Sequence, residues 1–170
     1  RSADTNEAIR TESRARIVEH AVALFAEQGF ERTTVRAIAE RAGISPGLLY
    51  NYFGGKEDVL HAIFAQSMGE VRESFAMAEE APEGHRVEGL IRGAFELLRR
   101  NQRFWRLSYG LRKQAHVLAG LGEDLQAWTS EVRQTLEGYL REDGCERPEL
   151  EAAILFALID GVAQHYVLDP

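Results

Sequence analysis

The sequence predicts an all-α protein: three short helices, one long connecting helix, then a helical bundle. Three observations carry this. Apolar residues recur at helical spacing through most of the chain, and strand-like alternation is nearly absent. Proline is rare, occurring only as Pro46, Pro82, Pro148 and Pro170.

The elements follow in order. Ile17, Ala21, Leu24, Phe25 and Gln28 mark one face of a helix over about 11–28. Gly29 sits where a C′ residue belongs, and Phe30 can fold back on the last turn. Thr34 is placed to cap a short helix that turns Val35, Ile38 and Ala39 inward. Gly43 supplies the positive φ of a tight helix-to-helix turn, and Ser45-Pro46 opens a helix over about 45–52. Gly54-Gly55 separates that helix from a long one over 56–80. The acidic break "EEAPEGHR", 79–86, is followed by expected helices at about 86–100, 102–115, 121–142 and 148–168.

Composition narrows the classes. The apolar share is ample for a core, and no run of 18 apolar residues suggests a membrane span. No signal-like stretch opens the chain, and the single Cys145 forms no internal disulfide, which fits a reducing cytoplasm. The chain opens on Arg1, so it reads as a fragment or trimmed form. The net charge of −7 is unevenly spread. Residues 1–56 hold eight Arg/Lys against seven Asp/Glu, a net +1; residues 57–170 hold twelve against twenty, a net −8. A nucleic-acid reader with this balance must gather its basic groups on one face.

Residues 34–56 form the densest constellation. Two helices joined by Ala42-Gly43-Ile44 make a helix-turn-helix, whose second helix can enter a major groove. Leu49 and Phe53, four apart, face the core. Pro46, Gly47, Leu48, Tyr50, Asn51 and Tyr52 are left on or beside the outer surface. Leu48 and Pro46 can touch thymine methyls, Asn51 can bond to a base or the backbone, and the tyrosine hydroxyls can donate to phosphate. The alternative is that both tyrosines are packing residues with wet tips, a reading that fits Tyr52 better than Tyr50. Lys56 stands at a helix N-terminus, where a cation is disfavoured, which points to a shared phosphate. Arg36 faces away from Ile38 toward a groove or phosphate, whereas Arg10 and Arg14 fit a solvated face.

The stretch "ALFAEQGFERTTVRAIAERAGISPGLLYNYFGGKEDVLHAIF", 23–64, resembles the DNA-binding region of the TetR/AcrR family of bacterial transcriptional regulators. The matching elements are Phe25…Gly29-Phe30, Thr33-Thr34, Ile38-Ala39, Ala42-Gly43, Tyr50…Phe53 and Lys56-Glu57…Leu60. Beyond them the resemblance rests on helix count and "ALIDGVAQHYVLD", 157–169. The resemblance implies a homodimer in the bacterial cytoplasm, on the nucleoid when bound to DNA. It would read a palindromic double-stranded operator and be released, most often as a repressor, by a small-molecule effector. Residues 1–56 would be the helix-turn-helix domain and 57–170 the ligand-binding and dimerisation domain. The implied operator contacts are Thr34, Arg36, Ser45, Pro46, Gly47, Leu48, Tyr50, Asn51, Tyr52 and Lys56. Many members place a polar residue or Lys/Arg where Pro46 or Leu48 stands, so specificity here would rest on Arg36 and Asn51.

In the C-terminal part, Trp105, Tyr109, Arg112 and His116 are read as one face of the expected helix 102–115 and its extension. With Phe75 and Trp128 they are the candidate lining of an effector cavity, the rival reading being core aromatics and solvated charges. Ala153, Ala157 and Gly161, at four-residue spacing, form a small stripe where another helix can approach, as half of a dimer interface or within the bundle. In the family a further helix usually follows; here Asp169-Pro170 stand where it would begin.

No catalytic group, metal site or cofactor is expected. The five histidines show no metal-ligand spacing with one another or with Cys145, and no hydrolase, zincin or P-loop motif is present. The competing reading is a helical small-molecule-binding or protein-interaction module without operator binding, supported by the near-neutral residues 1–56.

Overall fold

The computed structural model describes residues 3–82 and 84–168; Asp169 and Pro170 lie outside them. The described residues form helices α1 (Ala3–Gln28), α2 (Val35–Arg41), α3 (Pro46–Tyr50), α4 (Lys56–Glu79) and α5 (Arg86–Arg100). After these come α6 (Gln102–Leu111), α7 (Ala115–Gly120), α8 (Gly122–Glu142) and α9 (Pro148–Leu168). The contacts divide the chain into two compact units. The head comprises 1–65 together with 107–120, and the bundle comprises 66–106 with 121–170. The head therefore recruits a segment from beyond the boundary expected at residue 56.

In the head, Ile17, Ala21, Val22 and Phe25 of α1 are buried with Ile38, Ala39, Leu49, Phe53, Val59 and Ile63. The turn after α1 forms as its residues dictate: Gly29 adopts φ +87°, and Phe30 packs edge-on to Phe25 at 5.0 Å between ring centroids. Gly43 takes φ +69° between α2 and α3. The hydroxyl oxygens of Thr34 and Ser45 accept from the backbone N–H groups of Ala37 and Leu48, both at 3.1 Å, and so cap α2 and α3. α3 is shorter than the expected 45–52, because the N–H groups of Asn51 and Tyr52 bond three residues back, to Leu48 and Leu49.

The expected helix 102–115 is broken. α6 ends at Leu111, and Lys113 and Gln114 close tight turns onto Gly110 and Leu111. The cause is a side chain. Gln114 accepts from the Phe30 N–H (2.9 Å) and donates to the Phe25 carbonyl (3.2 Å), which also accepts from the Gly29 N–H, and so ties the segment to the C-terminal end of α1. Gln114→Ala strands the partly buried Phe30 N–H, while the Phe25 carbonyl keeps the Gly29 N–H; we expect a loss of about 1–3 kcal/mol in head stability, read by urea unfolding.

In the bundle, α9 packs on α8, and α5 meets both. Gly93 lets α5 approach α4 closely: a Cβ there would lie 3.3 Å from the Ser74 carbonyl oxygen. Arg106 donates to the Val167 carbonyl at 2.9 Å, closing the C-terminal end of α9. Of the described helices, α9 is the one long and apolar enough to cross a membrane, with mean hydropathy 1.3 over its most apolar stretch and only 17% of that stretch buried.

Candidate DNA interface and effector region

α3 projects from the head on two anchors. Leu49 is fully buried and Phe53 nearly so, while Pro46, Gly47, Leu48, Tyr50 and Asn51 are exposed. Tyr50, at 57% exposure, contributes little to the core. Arg36 is exposed on α2. Thr34 and Ser45 are also exposed; each uses an oxygen lone pair as a cap and keeps its hydroxyl hydrogen as a donor. These side chains present hydroxyls, an amide, a guanidinium and apolar groups, a mixture suited to a groove with a phosphate rim.

Three residues make contacts that the sequence reading did not include. Lys56 is not left to solvent: its ammonium donates to the carbonyls of Phe30 (3.0 Å) and Glu31 (3.2 Å) and lies 4.4 Å from the Phe30 ring centroid. Two of its three hydrogens thus hold the turn after α1, which also answers why a cation stands at the start of α4. Tyr52 is half-buried beyond the end of α3, with the Arg10 guanidinium 5.8 Å from its ring centroid. Arg14, expected on a solvated face, donates to the Tyr52 carbonyl at 2.8 Å and stacks 4.4 Å from the Phe53 ring centroid. Arg14 therefore braces the reading helix against α1, a role no local pattern signals because it joins residues 38 apart in sequence.

The expected effector face is divided between the units. Phe75, Trp105 and Trp128 belong to the bundle; Tyr109, Arg112 and His116 belong to the head. His116 is a correction to the sequence reading. With α6 ending at Leu111 it lies on α7, exposed, its Nδ1 3.5 Å from a Glu31 carboxylate oxygen. Arg112 stacks on Tyr109 at 4.1 Å, and its buried Nε has no hydrogen-bond partner among the described residues.

The bundle holds further polar groups that the sequence did not single out. The Trp105 indole N–H donates to Glu70 at 3.0 Å, and Asn101 donates to the same carboxylate at 3.4 Å. Trp128 is buried edge-on to Phe156, and its indole nitrogen lacks a partner among the described residues, as do the Tyr139 hydroxyl and Arg86 Nε. Burial pushes the Tyr139 phenol up, with the Glu79 carboxylate adding to the shift. Buried polar atoms without partners cost stability and mark where an incoming group would be welcomed. No group of three or more potential metal ligands occurs among the described residues.

α9 turns an apolar face outward. Leu150, Ile154, Leu158, Val162 and Tyr166 are all exposed and follow four-residue spacing, beside exposed Ala157 and Gly161 and half-buried Ala153.

The head and its exposed reading helix define a helix-turn-helix protein with an α-helical C-terminal region. A family model for bacterial regulatory proteins of the tetR family matches residues 17–63, and one for the C-terminal part of BetI-type transcriptional repressors matches 83–170. The chain belongs to the TetR family, whose members are transcriptional regulators rather than enzymes. It is 34% identical over 84 residues to the fatty acid metabolism regulator protein of Bacillus subtilis, a match covering 48% of this chain and 43% of that protein. It is 37% identical over 84 residues to the regulator BetI of Rhizobium meliloti, covering 48% and 41% respectively. These matches span less than half the length of either relative. The structure of FadR from B. subtilis with stearoyl-CoA superposes with a TM-score of 0.73 at 23% identity, covering 91% of this chain and 87% of that one; this likeness shows the fold.

Proposed function

We propose that the protein is a homodimeric, ligand-responsive transcriptional regulator of the bacterial cytoplasm. It represses by binding a palindromic operator and leaves it when a small molecule binds the bundle. The observation that carries this reading is α3: a capped helix held by buried Leu49, presenting Gly47, Leu48, Tyr50 and Asn51 to solvent. Pro46 opens it, and Thr34, Arg36, Ser45 and Tyr52 flank it as contact candidates. Lys56 contributes chiefly by holding the turn after α1, with one ammonium hydrogen left for phosphate.

The exposed face of α9 supports the dimer. Its residues at four-residue spacing form a ridge, and Ala153, Ala157 and Gly161 form the adjoining groove. A second copy of the helix can seat its ridge there, in the i±4 packing mode. A face this apolar is costly in water, and pairing with its own copy removes that cost on both chains.

For the effector, the support is the unpartnered Trp128 and Tyr139 groups and the Glu70–Trp105–Asn101 cluster in the bundle. FadR with stearoyl-CoA is a precedent for a small molecule bound within this fold. A ligand shifts operator affinity only by its preference for one state; a coupling of about 1–3 kcal/mol amounts to roughly 5- to 150-fold.

Gel shifts with DNA recovered from the chromosome test the reading. Binding should be specific and fall steeply between about 50 and 200 mM salt, because affinity comes largely from phosphate contacts. Absence of binding at any salt would instead favour an interaction module that does not read DNA.

A further inference from the structure

We propose that α3 reads its operator through thymine methyl groups, with Leu48 as the contacting side chain and Gly47 as the opening that lets the DNA come close. The proposal rests on the operator-binding reading and specifies the chemistry the operator must present.

Gly47 is the first observation. It lies at the second position of α3, in its first turn. Its φ is not positive, and a Cβ built on it would meet no heavy atom within 4 Å. Neither backbone conformation nor internal packing requires glycine there. Its missing side chain leaves open space through which an outside surface can approach α3 closely.

Leu48 is the second. It is 40% exposed beside fully buried Leu49, so it stands off the head rather than filling it. Its backbone N–H is already taken by the Ser45 cap. Pro46, Gly47 and Leu48 together carry no side-chain hydrogen-bond donor, acceptor or charge. Such a turn cannot read bases by hydrogen bonding through its side chains. In the major groove, the apolar group that distinguishes one base is the C5-methyl of thymine. The nearest polar side chains, Tyr50, Asn51 and Arg36, are left for phosphates and flanking bases.

The test uses uracil, which lacks that methyl but keeps every hydrogen-bonding group of thymine. Operator duplexes recovered with the full-length protein are resynthesised with uracil replacing thymine at one symmetry-related pair of positions at a time. At one such pair, wild-type affinity should fall about fourfold per half-site, roughly sixteenfold for both, the worth of one buried methyl each. The same uracil duplex should bind Leu48→Ala no worse than the thymine duplex does, while Leu48→Met retains most of the discrimination. Circular dichroism confirms that both variants fold. Uracil without effect at every position would overturn the proposal and point to an apolar protein surface as the partner of Leu48. Equal uracil penalties in wild type and Leu48→Ala would overturn it too, assigning the methyl contact to another residue. Failure of the wild-type protein to bind any duplex is distinct from both results and would strike the operator-binding reading itself.

Discussion

Leu158→Glu should turn the protein into a monomer. Leu158 is 59% exposed in the middle of the outward face of α9, flanked by Ile154 and Val162, so the change adds no charge to the core. The monomer should keep its helicity and unfold cooperatively. In the dimer, however, each copy would bury an unpaired carboxylate against an apolar ridge. At about 3 kcal/mol or more for each such charge, self-association weakens by more than about 1,000-fold. Analytical ultracentrifugation at micromolar protein reads the result directly. Operator affinity should fall with it, because a single head grips only one half-site. A dimer that persists in Leu158→Glu would place the interface elsewhere and leave the face of α9 to another partner, including a lipid surface, for which its length and hydropathy also suffice.

Tyr50→Ala should remove operator binding without weakening the fold. More than half of Tyr50 is exposed, and the helix beneath it is held by Leu49 and Phe53. A hydroxyl bonded to a phosphate contributes about 1.5–3 kcal/mol, and a palindrome uses two, so the loss should reach about 100-fold or more. Lys56→Ala makes the informative contrast. Its ammonium holds two backbone carbonyls and the face of Phe30, so this variant should lose operator affinity and thermal stability together. Gel shifts paired with melting curves separate the two. Equal melting temperatures for Lys56→Ala and wild type would return Lys56 to a purely external role.

That contrast also shows where the sequence was legible and where it was not. Gly29, Gly43, Thr34 and Ser45 do in the structure what their residue types demand, because caps and positive-φ turns are decided within a few residues. The placement of α2 and α3, and hence the exposed face of α3, follows from those local signals and from Leu49 and Phe53. The target of Lys56 was not legible, since Phe30 and Glu31 lie 26 and 25 residues away. Nor was the break in the expected helix 102–115. Helical spacing continues past Leu111, but Gln114 is drawn out to the end of α1, 84 residues earlier, and His116 goes with it to the head's surface. The outward ridge of α9 was not legible for another reason. A helix apolar nearly all round carries little information about which side is inside. The small stripe at Ala153, Ala157 and Gly161 stood out by composition, while the larger exposed ridge of Leu150, Ile154, Leu158, Val162 and Tyr166 emerges only once α8 and α5 cover the opposite side.

In the proposed dimer, two heads joined through the bundle read a two-fold symmetric stretch of DNA. The most direct test is hydroxyl-radical footprinting of the wild-type protein on promoter DNA recovered with it from the chromosome. The expected result is protection of two half-sites related by a two-fold axis, with major-groove centres about 34–36 Å apart, or a whole number of helical turns. Protection of one unpaired site, or no protection at low salt, would contradict it.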